Sequence, residues 1–167
     1  MVMFYLDLFA RLTQSHVRYV VVGGLALNLH GVERATMDVD LAVALDAGNL
    51  RAAIDVFRSM SLVPIAPIDL DDASDPAMLA HWRQDRHMIA LGLRPAVGHG
   101  PTVDVLTATF VPFETLEANA VRKRLGDADV PIASIDDLIA LKRAAGRPID
   151  LSDIDALETL RRLGLDK

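Results

Sequence analysis

Two aspartates stand two residues apart inside an apolar run, Asp38 and Asp40 in TMDVDLAV, and a third, Asp104, stands in a second apolar run, PTVDVLTATF. No other feature restricts the fold as much. Both runs read as β-strands, and aspartate is depleted from strands because a charge on a half-buried pleated surface is costly to desolvate. Alternation puts residues i and i+2 on one face, so Asp38 and Asp40 point one way while Val39 and Leu41 point into a core. Two like charges on one face repel. The fold therefore either solvates that face, as on an edge strand, or places a cation against it. With the strand of Asp104 alongside, the three carboxylates would form an oxygen-rich site with open positions. Such a site suits Mg²⁺, which keeps waters and takes phosphate oxygens as its remaining ligands.

The 167 residues are 51% apolar and 24% charged, enough to bury one sizeable core and too few for two, so one domain over residues 1–167 is expected. A formal charge of -6 argues against a broad basic surface and against non-specific binding to duplex DNA. Cysteine is absent, which excludes disulfides, zinc thiolate sites and cysteine nucleophiles. The start, MVMFYLDLFARLTQS, carries Asp7 within its apolar stretch and no small-residue cleavage site, so it reads as an amphipathic helix rather than a leader. YVVVGGLALNL is broken by glycine and falls short of the roughly 18 to 20 residues that span a bilayer. A soluble, cytoplasmic protein with no membrane partner is expected.

Residues 18–22 are a β-branched run that enters Gly23 and Gly24, and LALNLH then has helical spacing until Gly31. Residues 38–45 form the next strand, and GNLRAAIDVFRSM follows as a helix with Leu50, Ile54 and Phe57 on one stripe. A short strand at 62–65, an acidic loop PIDLDDASDP and a helix opening at Pro76 come next. Residues 87–93 and 102–106 read as strands joined as a hairpin, the second delivering Asp104. FETLEANA reads as a helix and 129–132 as a short strand. Two helices occupy about 134–163, the first opened by Ser134 and closed by Gly146, the second opened after Pro148 with acids in its first turn and arginines in its last. The fold class is α/β with a mixed, mainly antiparallel sheet flanked by helices.

Gly23 and Gly24 carry a second signal. Without Cβ atoms, a strand-to-helix turn lets backbone N–H groups come close to phosphate at a helix start; without a ligand, the same residues make an ordinary tight turn. Thirteen residues separate Gly24 from Asp38, about what a short helix and a return loop require. The GxGxxG pattern and the Walker loop are both missing, which removes dinucleotide-binding and P-loop readings. His30, His81, His87 and His99 have no metal-ligand spacing, and Asp69, Asp71, Asp72 and Asp75 lack the EF-hand pattern.

The string VVVGGLALNLHGVERATMDVDLAV, with TVDVL downstream, resembles the nucleotidyltransferase superfamily related to the polymerase β palm. LIALKRAAGRPIDLSDIDAL is similar to small bacterial members, including components of AbiE-type toxin–antitoxin systems. The resemblance implies the nucleotidyltransferase fold and Mg²⁺-dependent (or Mn²⁺-dependent) transfer of a nucleoside monophosphate from an NTP such as ATP to a hydroxyl, with release of pyrophosphate. Asp38 and Asp40 would bridge two ions, and Asp104 would complete the ion site beside the acceptor hydroxyl and act as its base. Gly23 and Gly24 would cradle the β and γ phosphates, although Gly24 stands where members often have serine. Arg34 and Thr36 fall in an Arg-x-Thr-x-Asp pattern; Arg34 either reaches a phosphate or pairs with a nearby acid. Lys142 would touch the triphosphate, whereas Arg147 and Asp150 would fix the turn between the last two helices. The acceptor is a small molecule, a protein side chain or an RNA end, walled by the two C-terminal helices and by a homodimer mate or partner protein. The rival from another class is a non-catalytic interaction protein, a toxin–antitoxin component that retains the fold.

Overall fold

β-branched and apolar side chains at 19–22 and 39–43 are buried on both faces of a sheet, which is why these segments extend rather than coil. The structure, a computed structural model, describes residues 2–164; the Met1 end of the expected first helix lies outside them. The elements in chain order are α1 (Val2–Gln14), β1 (Tyr19–Val22), α2 (Gly23–His30), β2 (Val39–Val43), α3 (Ala47–Ser59), β3 (Leu62–Pro64), α4 (Pro76–Arg86), β4 (Ala90–Pro95), β5 (Val103–Leu106), α5 (Phe113–Asn119), β6 (Val121–Leu125), β7 (Ala128–Ile132), α6 (Ile135–Ala145) and α7 (Pro148–Arg162). The acidic loop holds a short 3-10 turn, Asp72–Ser74.

One seven-stranded sheet runs in the order β3-β4-β5-β2-β1-β7-β6. β2–β5 and β1–β7 are parallel, and β1–β2, β3–β4, β4–β5 and β6–β7 are antiparallel, so the sheet is mixed and mainly antiparallel as expected. β4 and β5 form the expected hairpin, with β4 beginning three residues later than the sequence indicates because His87 ends α4 in a left-handed conformation (φ 52°). Strand β6 does not figure in the sequence reading. It pairs with β7 across a turn at Gly126 and Asp127, and Gly126 has φ 59°.

Alternation sorts the sheet into two faces. Val39, Leu41, Val103, Val105, Leu91 and Leu93 are all nearly or wholly buried, whereas Asp40, Asp104 and Gly92 on the opposite face are partly open. The buried side chains form one contiguous cluster with Leu8, Phe9 and Leu12 of α1 and Leu50, Ile54 and Phe57 of α3. Asn49 secures the base of the central strands. Buried at 8% exposure, it accepts from the Arg18 N–H (2.7 Å) and donates to the Arg18 carbonyl (3.0 Å) and the Ala44 carbonyl (2.8 Å). Such a residue has to be fully bonded to be tolerated there. Among the described residues no helix is long and apolar enough to cross a membrane.

Candidate active site

The parallel register of β2 and β5 sets Asp40 directly opposite Asp104, so both carboxylates leave one face of the sheet about one strand spacing, ~4.8 Å, apart. Asp38 lies just before β2 and is exposed, and its Oδ1 accepts a 2.7 Å hydrogen bond from Thr102 Oγ1 at the foot of β5. The three expected aspartates therefore converge on one end of two neighbouring strands.

β1 flanks β2 on its other side with Val22 opposite Asp40, so the chain turns into Gly23 immediately beside that carboxylate. Gly23 has φ 65°, and a β-carbon built on it would stand 1.8 Å from Asp40 Oδ2. Glycine is required there on both counts. A β-carbon on Gly24 would lie 3.0 Å from Thr36 Oγ1 and 3.3 Å from Arg34 Nη1. The glycine turn is thus lined by Asp40, Thr36 and Arg34, as the spacing from Gly24 to Asp38 implies.

Burial, then the charges of Asp104 and Asp38, push the Asp40 carboxyl up to about 6, partly offset by Arg147 and the Gly24 N–H. Burial and then Asp38 raise Asp104 as well. The two carboxylates lie against different glycines. Asp40 Oδ2 leans over Gly23 toward β1, and Asp104 Oδ1 leans toward β4, 3.2 Å from where a β-carbon on Gly92 would stand. Among the described residues no three acidic or imidazole side chains stand in an ion-holding group. The donor chemistry still fits a hard cation: oxygen ligands only, on two adjacent strands, with unrelieved negative charge between them.

A second cluster abuts the glycine turn. Lys142 on α6 is buried, its Nζ 2.6 Å from Asp153 Oδ2 and 3.3 Å from Asp150 Oδ1 on α7. Arg34 Nε donates to both Asp153 oxygens at 3.1 Å. Arg147, which precedes α7, donates from Nε (2.9 Å) and Nη2 (3.1 Å) to Asp150. Arg34 accordingly pairs with an acid, and Lys142 lies enclosed by two carboxylates rather than in the open space at the glycine turn. The bond from Arg147 to Asp150 does close the turn between α6 and α7 as read from the sequence.

Three neighbours escape the sequence reading. Thr102 is two residues before Asp104, so strand alternation is the signal that puts it on the same face. Tyr5 of α1 donates to the Met37 carbonyl at 3.3 Å, and burial followed by the Asp38 charge raises its phenol. The proximity of Arg147 to Asp40 depends on how α6 and α7 dock, and no local pattern encodes that.

No protein-family model matches the chain, and no curated protein matches it in sequence. Solved structures do match its fold. The chain is similar to ANT(2")-Ia in complex with adenylyl-2"-tobramycin (TM-score 0.59, 13% identity, 95% of this chain and 87% of that one). It is also similar to a candidate nucleotidyltransferase from Thermotoga maritima (0.54, 14%, 99% and 92%) and to an antigenic nucleotidyltransferase-like protein from Paracoccidioides brasiliensis (0.56, 18%, 95% and 75%). The fold is that of the nucleotidyltransferases.

Proposed function

We propose that this chain transfers a nucleoside monophosphate from an NTP to a hydroxyl group of an acceptor and releases pyrophosphate. The observation that carries the reading is the in-register pair Asp40 and Asp104 beside a glycine turn with no room for a side chain. In the reaction the acceptor oxygen bonds to the α-phosphorus, the bond from that phosphorus to the bridging oxygen breaks, and its electron pair leaves on pyrophosphate. Asp104, on the side away from the glycine turn, takes the acceptor proton. Gly23 and Gly24 keep the turn bare so that phosphate oxygens approach the backbone, with Arg34 and Thr36 at its edge. Mg²⁺ or Mn²⁺ would be held by Asp38, Asp40 and Asp104, where it would neutralise charge on the phosphoryl oxygens and acidify the acceptor hydroxyl.

The likeness to a structure holding adenylyl-2"-tobramycin makes ATP the first NTP to test and a small-molecule hydroxyl the first acceptor. A protein side chain or an RNA end, the acceptors implied by the toxin-like resemblance, are the next. The reading further takes residues 1–167 as one cytoplasmic domain whose acceptor cleft is completed by a second subunit or a partner protein. The test is incubation with each α-labelled NTP, Mg²⁺ and cell extract, fractionated into RNA, protein and small molecules. Label should appear in one fraction and fall by about 10²-fold or more in Asp40→Ala and Asp104→Asn. Undiminished labelling by Asp40→Ala would sink the proposal.

A further inference from the structure

Beside the glycine turn, two arginines and a lysine share two aspartates, and the three cations differ in what they have left to offer. Lys142 is spent: it is enclosed at 5% exposure and its ammonium is held between Asp150 and Asp153. Arg34 is largely covered as well; its Nε is held by Asp153 and its Nη1 donates to the Ala35 carbonyl at 3.0 Å. Arg147 differs. Its side chain is 64% exposed, yet Nε and Nη2 are fixed on a carboxylate that is itself only 1% exposed. That leaves Nη1 without a hydrogen bond among the described residues, on a guanidinium whose plane is already set. A chain of ion pairs ties it to the glycine turn: Asp150 shares Lys142 with Asp153, Asp153 holds Arg34, and Arg34 Nη1 stands 3.3 Å from where a β-carbon on Gly24 would be.

An arginine held rigidly from behind with free donors in front is suited to a phosphate group, because its fork loses little freedom when it binds an oxyanion. The backing network explains why the guanidinium stays in place: Lys142 neutralises Asp150 and Asp153 from within, so Asp150 keeps a stable bidentate hold on Arg147. We propose that Arg147, rather than Lys142, is the cation that grips the terminal phosphates of the NTP, and that Lys142 acts as a positioning residue behind it. This assignment rests on the nucleotidyltransferase reading and adds to it a ligand contact and a supporting chain that runs through Asp150 to Lys142.

The test is calorimetric binding of inorganic tripolyphosphate and of ATP with Mg²⁺ to the full chain, which requires neither an acceptor nor turnover. Arg147→Met should weaken both ligands about tenfold or more, because one charge-assisted bidentate contact is removed. Arg143→Met serves as control: that residue is bonded to Glu158 by a 2.9 Å ion pair, and its loss should leave both affinities unchanged. If Arg147→Met does not fold, Arg147→Lys decides, since a lysine cannot hold Asp150 and a phosphate with the same fork and should also bind several-fold more weakly. Unchanged affinity in either folded variant overturns the assignment and leaves the proposed activity standing. Failure of the unsubstituted chain to bind any NTP overturns both.

Discussion

A half-buried carboxylate flanked by two others ionises only at a cost, and Asp40 is in that position. Its folded value of about 6 lies above the 3.8 of a solvated aspartate. The folded state therefore holds the proton more tightly, and the associated stability is complete below 3.8 and lost as the pH rises through 6. In EDTA, Asp40 alone should cost about 1 kcal/mol between pH 5 and 7.5, a slope that urea unfolding of Asp40→Asn would show flattened. Mg²⁺ competes with that proton, so its affinity should climb through the same range; affinity independent of pH would count against Asp40 as a ligand. Gly23→Ala meets Asp40 Oδ2 head-on in a left-handed backbone conformation and should cost about 1 to 3 kcal/mol, read from the urea midpoint. Gly23, Gly24, Asp38 and Asp40 were legible as a local group because strand alternation and a glycine pair act over a few residues, whereas Asp104 joined them in the sequence reading only through the family resemblance. The position of the Asp104 carboxylate against Gly92 was not legible, since only the pairing of β4 with β5 brings the two together.

The α6–α7 pair is held by charges rather than apolar contacts alone, and its ends show how. Ser134 accepts from the Asp137 N–H at 3.1 Å to open α6, Gly146 closes it with φ 63°, and Asp150 accepts from the Arg147 N–H at 3.0 Å to open α7. Burial pushes Asp150 upward, but bonds from Arg147 and Lys142 outweigh it and hold it at about 2. A lowered carboxylate stabilises above its unfolded value, so this contribution is full above 3.8 and is lost as the pH falls through 2. Lys142→Met leaves two nearly buried carboxylates without their shared counter-ion and should cost about 3 to 5 kcal/mol in urea unfolding. Both helices were legible from caps and periodicity. Strand β6 was missed because Arg122, Lys123 and Arg124 in succession hide its alternation, and it extends only because β7 pairs with it. The Gly126-Asp127 dipeptide, a hairpin turn signal, was the available clue.

Across the whole molecule, the sheet order brings Asp104 beside Asp40 although 63 residues intervene, and α7 ties Arg34, at the edge of the glycine turn, to the C-terminal end of the chain through Asp153. A ligand that bridges these parts should stabilise all of them together. At an NTP concentration 100 times its Kd, the unfolding free energy should rise by about 2.7 kcal/mol, measured by chemical denaturation with Mg²⁺ present, and Asp40→Asn should abolish the increase. The sequence by itself determined most of the segments that extend or coil, because period, caps and glycine turns act within about ten residues. It could not determine that Lys142 is enclosed while Arg147 stays exposed. The two stand five residues apart on either side of Gly146, with the same charge and the same nearby aspartates. The packing of α6 and α7 against the Arg34 loop, a contact between segments more than a hundred residues apart, encloses Lys142 between two aspartates and leaves Arg147 exposed on one of them.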